Sequence, residues 1–172
     1  MTDSHRVAGA IATVMVLAMG AACTSRAPST GQSAGERAIE RQVKGAASAS
    51  PPFEGLTAAP FRVGDRTYNL VIADFETERE QGLRGRASIA PYDGMLFAFD
   101  ATDEANFTMS GTVAPLEIAF YAADGSFVAR RSMTPCAGTD ATCPLYSADR
   151  PYRWAIETPG GQPTPDGRFS AP

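Results

Sequence analysis

From residue 53 onward, the alternation of apolar and polar residues is typical of short β-strands. Apolar or alternating runs are separated by Gly, Asp, Asn and Pro, which favour turns. Strands are predicted over 61–63, 66–73, 95–99, 107–109, 116–121, 127–133 and 152–158. Gly64-Asp65 and Ala123-Asp124-Gly125 have the composition of hairpin turns. Because hairpins join antiparallel strands, we predict an α+β domain, mainly antiparallel, forming a compact sandwich or partly closed barrel with one or two short helices.

One helix is indicated inside this strand-rich region. Thr77 is followed three residues later by Glu80, the spacing of a capping box, in which each side chain bonds the backbone N–H of the other residue. The pattern predicts a short helix that begins at Thr77 and ends at about Leu83 or Arg84.

The N-terminus has the layout of a secretory signal. An uncharged run from Val7 to Ala22 follows Arg6, and small residues occupy its last positions. The run is too short and too rich in Ala and Gly to favour a membrane-spanning helix. We therefore predict a signal peptide over residues 1–22 and export of the remaining chain.

The signal ends at a cysteine. The run from Leu17 to Cys23, LAMGAAC, resembles the lipobox of bacterial lipoproteins, although Gly20 stands where Leu is commonest. The resemblance implies acyl chains such as palmitate on Cys23, which would anchor the protein at the extracytoplasmic face of the cell membrane by burying methylene groups. The alternative is an ordinary signal in which Cys23 is incidental.

The segments flanking the predicted domain are poor in apolar residues. After Cys23, Ser, Ala, Gly and Pro dominate as far as Pro52, and the only large apolar residues are Ile39 and Val43. Such a composition predicts a flexible tether over residues 23–52, because little apolar burial offsets the entropy of ordering. A short helix from Gly35 to Lys44 is the alternative within it. The domain itself is predicted over 53–160, followed by an irregular Gly- and Pro-rich tail over 161–172.

Charge and missing residue types exclude several classes of function. The chain carries a net charge of −4, and residues 51–172 hold ten Arg, no Lys and sixteen acidic residues. This acidic region lacks the basic surface of a nucleic-acid-binding protein. The one histidine is His5, within the signal, and the one lysine is Lys44. Triads with an imidazole base, lysine Schiff bases and typical zinc sites are therefore disfavoured, and we expect no metal or cofactor.

Two cysteines remain after Cys23. Cys136 and Cys143 flank a loop of small and turn-forming residues. In an exported protein a disulfide is the default interpretation, worth roughly 2–3 kcal/mol for so short a loop. A metal-binding or redox pair is the alternative, although the spacing is not CxxC.

The domain resembles domain-of-unknown-function family 192, a group of small prokaryotic proteins. The resemblance covers about Phe61 to Pro159. It is carried by Val71–Asp74, Thr77–Glu80, Gly82–Arg86, Asp93–Phe99 (DGMLFAF), Thr112–Phe120 (TVAPLEIAF), Ala123–Gly125, Pro135-Cys136, Cys143-Pro144, Tyr146 and Tyr152–Glu157 (YRWAIE). Because the family has no established general activity, the resemblance implies a fold more than a function.

One stretch departs from the family pattern. The family usually has FWMKNT where this chain has Phe107 to Thr112, FTMSGT. The family's Trp, Lys and Asn are thus replaced by Thr108, Ser110 and Gly111. If those residues form a working site in the family, the site is lost or altered here.

Four residues are candidates for a binding site: Arg84, Arg86, Asp93 and Glu117. The two arginines could bind an anionic ligand or form surface ion pairs. Asp93 could belong to a site or simply form a turn before a buried strand, and Glu117 could face a cleft or solvent. No catalytic residue is assigned.

A separate acidic group lies between the third and fourth predicted strands. Asp100, Asp103, Glu104 and Asn106 offer oxygen ligands, but their spacing is not that of an EF-hand loop. A solvated acidic loop is the alternative interpretation.

Three functions remain open. The first is a non-enzymatic binding or accessory domain, tethered to the membrane and contacting an envelope protein or a small ligand. The second is a carboxylate hydrolase of envelope carbohydrate, which needs two facing acids, with Asp93 and Glu117 as the best pair. The third is a structural envelope protein with a flat surface. The residue inventory favours a non-enzymatic domain and leaves the ligand, partner and oligomeric state undetermined.

Overall fold

A computed structural model describes residues 31–161 and 166–172. The described elements, in chain order, are α1 (Ala34–Lys44), β1 (Ala47–Ser48), β2 (Thr57–Val63), β3 (Arg66–Ala73), α2 (Glu76–Gln81), β4 (Gly94–Asp103), β5 (Phe107–Thr108), β6 (Leu116–Tyr121), β7 (Phe127–Met133), β8 (Leu145–Tyr146), β9 (Tyr152–Pro159) and β10 (Phe169–Ser170). The predicted signal peptide and Cys23 lie outside the described residues.

Most of the strands form one mainly antiparallel sheet. Its order is β1-β2-β3-β4-β9-β6-β7, with β10 paired to β2, and β5 and β8 form a separate two-stranded ribbon. The pair β3 and β4 is parallel, because the chain crosses between them through α2. The predicted α+β class and antiparallel sheet are confirmed, and the sheet is not closed into a barrel.

The sheet is buried on both faces. Along β3, Leu70 and Ile72 face one apolar core, and Val71 and Ala73 face the other, because successive side chains of a strand point to opposite sides. The central strands β4, β6 and β9 carry the same two-sided burial. This burial explains why the first half of β4, Met95 to Phe99, is continuously apolar rather than alternating.

The predicted flexible tether is wrong for residues 34–44, which form α1. The Ser33 hydroxyl accepts a hydrogen bond from the Glu36 N–H, and the Glu36 carboxylate accepts one from the Ser33 N–H. This reciprocal pair is a capping box. Ile39 and Val43, four residues apart, lie on one face of the helix and join the core formed with Leu96, Trp154 and neighbours. Two apolar residues thus stabilise a helix that the surrounding Ser- and Ala-rich composition obscured, and the domain begins well before residue 53.

The predicted irregular tail is also corrected, at its end. Phe169 is fully buried, pairs with Val63 and packs on Phe61 at 5.3 Å between ring centroids. The Phe169 N–H also donates to the carbonyl of Gly125 in the β6–β7 turn, at 2.8 Å. Gly125 has a φ of +85°, and a Cβ there would lie 1.9 Å from the Phe169 oxygen, so only glycine fits.

The predicted helix after β3 is confirmed, but it begins one residue earlier, ends at Gln81 rather than at about Leu83 or Arg84, and is capped differently. The backbone N–H groups of Asp74 and Phe75 both donate to the Glu78 carboxylate, at 3.1 Å. The carboxylate of Glu78, rather than the predicted pair of Thr77 and Glu80, therefore accepts the backbone hydrogen bonds at the start of the helix. No helix within 31–161 and 166–172 has the length and apolar character needed to cross a membrane.

Candidate functional site

A cavity of about 360 Å³ lies between α2, β5 and the end of β4. The helix and the turn after it contribute Glu76, Arg79, Glu80, Gln81, Gly82, Leu83 and Arg84. The strands and loops opposite contribute Phe97, Phe99, Asp103, Ala105, Asn106, Phe107, Thr108, Thr112 and Glu157. The volume lies at the lower end of the range for small-molecule pockets.

Glu157 reaches the cavity from the central strand of the sheet. It pairs with Met95 of β4 on one side and Ile118 of β6 on the other, so it shares a face with these two apolar residues. Glu157 is 5% exposed. No side-chain hydrogen bond or ion pair from the described residues reaches its carboxyl, which opens onto the cavity.

Burial without a partner raises the pKa of Glu157 to about 8. The cause is desolvation, which penalises the charged carboxylate. At neutral pH the side chain is therefore mainly a neutral carboxylic acid, with an O–H to donate. A group with a strongly raised pKa inside a cavity is a candidate for function.

Phenylalanine rings form the apolar wall of the cavity. Phe97 and Phe107 meet edge to face, with ring centroids 5.0 Å apart. Phe99 packs in the same way on Tyr152, at 5.3 Å. Gly82, at the end of α2 beside Phe97, has a φ of +47°, a backbone conformation that favours glycine over residues with a side chain. These contacts fix the shape of the wall.

The two arginines of the lining are already engaged by the protein. Arg79 donates to the carbonyls of Asp74 at 2.6 Å and Ala98 at 2.9 Å, and its guanidinium lies over the Phe99 ring. Arg84 donates to the Ser110 carbonyl at 2.9 Å and forms an ion pair with Asp140 at 2.7 Å. Both side chains thus hold the cavity walls together.

The predicted disulfide joins Cys136 and Cys143, as the sequence indicated. Its loop is tied to the segment that follows β5. The Ser110 hydroxyl donates to the Gly138 carbonyl at 3.0 Å. Within the loop, the hydrogen bond from Arg84 lowers the pKa of Asp140 below its usual value. The disulfide loop therefore anchors Arg84 at the edge of the cavity.

The structure does not bring the four sequence-predicted site residues together. Arg84 lines the main cavity, but Arg86 donates to the Pro52 carbonyl at 2.7 Å and stacks on Phe53. Arg86 also lines a separate small hollow of about 40 Å³. Arg84 and Arg86 point to different partners because the turn that carries them reverses at Gly85, with a φ of +71°.

The two predicted acids are also held apart. Asp93 accepts a hydrogen bond from the Asn69 N–H at 2.8 Å, as expected of a turn residue. Glu117 accepts one from the Ser132 hydroxyl at 2.9 Å. Glu117 pairs with Thr158 of β9, and Asp93 precedes β4 on the far side of that strand. Neither acid lines the main cavity.

Sequence reasoning missed Glu157 as a site residue. The sequence did contain a signal, because Glu157 is the one acid in the predicted strand 152–158, YRWAIET. In an alternating strand, such an acid is expected on the face that contacts solvent, unless the strand is central and both of its faces are buried. Of the acidic group at the end of β4 and in the loop after it, Asp103 and Asn106 line the cavity. No cluster of three or more metal-ligating His, Cys, Asp or Glu side chains occurs in the described part of the chain.

The chain is similar to one protein family and to solved structures that include the following two. The model of DUF192, described as an uncharacterized ACR, matches residues 59–165. A protein of unknown function from Novosphingobium aromaticivorans superposes with a TM-score of 0.58 at 27% identity, covering 69% of this chain and 85% of its own. A protein from Sinorhizobium meliloti, named as a putative transcription regulator, gives a TM-score of 0.57 at 26% identity, covering 66% and 93%. No curated protein matches significantly.

Proposed function

The chain belongs to domain-of-unknown-function family 192, and we propose that it is a non-enzymatic binding domain that holds a small ligand in the cavity between α2 and β5. We propose further that it is exported and anchored to the membrane through Cys23. The ligand and the anchor rest on different observations and are tested separately.

The observation that carries the binding function is the unpaired carboxyl of Glu157. In its charged form this carboxyl is poorly solvated beside the phenylalanine rings, and for this reason its pKa is raised. A carboxyl at this position therefore suits a task other than stability. A ligand that enters the cavity would supply the missing hydrogen-bond partner.

The geometry favours binding over the two alternatives. A carboxylate hydrolase would need Asp93 and Glu117 on either side of a substrate, and these acids have separate partners on either side of β9. A purely structural protein would present a flat surface, whereas this domain has a cavity of about 360 Å³. The net charge of −6 over residues 51–172 also disfavours a nucleic-acid partner.

Binding is tested by screening small fragments with saturation-transfer-difference NMR on the full chain in non-ionic detergent. Thr108 lines the cavity, and the family pattern has a tryptophan at this position. We expect fragments that bind the wild-type protein to lose binding in Thr108→Trp, because the indole fills the cavity. Thr67→Trp is the matched control, since Thr67 is exposed on β3 and away from the cavity.

Two results would overturn the binding function. One is a screen in which no fragment binds the wild-type chain. The other is a set of fragments that bind Thr108→Trp as well as they bind Thr67→Trp, because binding would then lie outside the cavity.

The anchor is supported by the uncharged run that ends at Cys23. We expect the wild-type chain to sediment with membranes, and mass spectrometry of its N-terminal peptide to find an acylated Cys23 as the first residue. The Cys23→Ser chain should leave the membrane fraction, whereas Ser25→Ala should not. An intact Met1 on the mature chain, or membrane association that survives Cys23→Ser, would exclude the anchor.

A further inference from the structure

We infer that the ligand of the α2–β5 cavity is a small organic cation, a protonated amine on an apolar body, with Glu157 as its counter-ion. This inference rests on the proposed binding function and specifies its ligand class. It is carried by the charges that line the cavity, by the partners those charges already have, and by the apolar wall.

The lining carries more negative than positive groups. Four acids face the cavity, Glu76 and Glu80 from α2, Asp103 from β4, and Glu157 from β9. Arg79 and Arg84 are the two cations of the lining. Because Glu157 is mainly neutral without a bound cation, the negative surplus comes from Glu76, Glu80 and Asp103. A ligand with a positive charge would balance this surplus and favour ionisation of Glu157, whereas an anion would add to the surplus.

Both arginines already contact the protein. Arg84 donates to the carbonyls of Glu80 and Ser110 and is paired with Asp140, which does not itself line the cavity. An anionic ligand would have to displace Asp140 to pair with Arg84, and Arg79 is held through Nη1 by two backbone carbonyls. Glu157 has no such competing partner among the described residues and is more than nine-tenths buried.

The apolar wall suits the remainder of such a ligand. Phe97, Phe99 and Phe107 line the same cavity as Glu157. Aromatic rings bury apolar groups, and their faces attract cations within about 6 Å. Arg79 already uses the Phe99 ring in this way, at 5.1 Å. An ammonium group at Glu157 and a hydrocarbon ring against the phenylalanines would satisfy both parts of the cavity.

Binding of a cation is coupled to loss of a proton from Glu157. In the empty cavity, burial keeps Glu157 protonated at neutral pH, and an ammonium group beside it would favour the carboxylate. The other charged groups that face it are Glu76, Arg79 and Glu80 from α2, Arg84 from the turn and Asp103 from β4, and no other titratable side chain lines the cavity in the described residues. Each binding event should therefore release about one proton below pH 8.

Isothermal titration calorimetry of the full chain in non-ionic detergent tests the ligand class. The probes are benzylammonium, benzyl alcohol and benzoate, which share one ring and differ in charge. We expect benzylammonium to bind at least tenfold more tightly than the other two. Its Kd should fall by about tenfold per pH unit between about pH 6 and about pH 8, and then level off.

Glu157→Gln tests the counter-ion. This variant keeps the shape of the side chain but cannot ionise, so benzylammonium should bind at least tenfold more weakly and without pH dependence. Glu54→Gln is the control, because Glu54 is exposed and does not line the cavity. Titration in buffers of different ionisation enthalpy should detect proton release in the wild-type and Glu54→Gln chains only.

The outcomes separate this inference from the binding function. If benzoate or benzyl alcohol binds as tightly as benzylammonium, or if none of the three binds while the NMR fragments do, the ligand is not a cation although the cavity binds ligands. If benzylammonium binds equally well to Glu157→Gln, Glu157 is not the counter-ion. A failed fragment screen would remove the binding function itself.

Discussion

Arg153 in β9 forms a buried ion pair with Glu36 in α1, across 117 positions of sequence. Arg153 is 7% exposed and Glu36 is 8% exposed. The same guanidinium also pairs with Glu40, one turn further along the helix, and lies over the Trp154 ring at 4.9 Å. This ion pair fixes α1 against the central strand of the sheet.

Removal of Glu36 should destabilise the domain. Glu36→Ala leaves one face of a buried guanidinium unpaired and also removes the capping box at Ser33, so we expect a loss of about 3 kcal/mol in the free energy of unfolding. Urea denaturation followed by tryptophan fluorescence measures the change, since Trp154 is fully buried. Arg41→Ala, an exposed change on the same helix, is the control, and a Glu36→Ala chain as stable as this control would show that the pair contributes nothing.

Truncation of Ile39 tests whether α1 belongs to the core. Ile39 is completely buried, and Ile39→Ala should cost about 2–5 kcal/mol through lost apolar burial and the cavity that remains. The exposed Lys44→Ala on the same helix should change stability by less than about 0.5 kcal/mol. Equal unfolding midpoints in urea for the two variants would mean that residues 34–44 do not pack on the sheet in solution.

Glu157 should make the stability of the empty domain depend on pH. Its pKa is raised from 4.5 to about 8 on folding, so between these values the folded chain holds a proton that the unfolded chain has lost. Its contribution is therefore fully present below about pH 4.5 and is lost as the pH rises to about 8, at up to about 1.4 kcal/mol per pH unit.

The comparison of Glu157→Gln with the wild-type chain isolates that contribution. The variant should gain stability relative to the wild type as the pH rises from about 5 to about 8, measured by urea unfolding at several pH values. Glu54→Gln should follow the wild type throughout. A constant difference between Glu157→Gln and the wild type across this range would show that the carboxyl titrates normally.

Loss of the disulfide should weaken both the fold and the cavity edge. The double variant Cys136→Ser, Cys143→Ser should be less stable by roughly 2–3 kcal/mol, because its unfolded chain is less constrained. A wild-type chain treated with reductant should match it in thermal unfolding. Reductant should leave the double variant unchanged, and a wild-type chain equally unaffected by reductant would mean that Cys136 and Cys143 are not paired.

The sequence was most informative where local patterns decide the structure. Turn composition predicted the hairpin around Gly64-Asp65, and hydrophobicity predicted the strand at Met95 to Phe99. The cysteine count predicted the disulfide between Cys136 and Cys143. These features depend on neighbours in the chain. They could be predicted without knowing the order of strands in the sheet.

The elements that were missed depend on contacts between distant residues. Helix α1 is held by the ion pair with Arg153, and Phe169 is buried against Phe61 and Trp154. The local composition of either segment therefore does not indicate that it packs on the sheet. Glu157 was missed for a related reason. Its burial follows from the place of β9 between β4 and β6, which the strand pattern alone does not reveal.

The late position of β10 in the chain has a consequence for biogenesis. Phe169 contacts the rings of Phe61, Tyr121 and Trp154, which come from three other strands. Until residue 170 has emerged during synthesis, these three aromatic side chains lack their covering ring and the apolar patch stays open to water. The apolar core on this side of the sheet is therefore complete only after β10 has been synthesised.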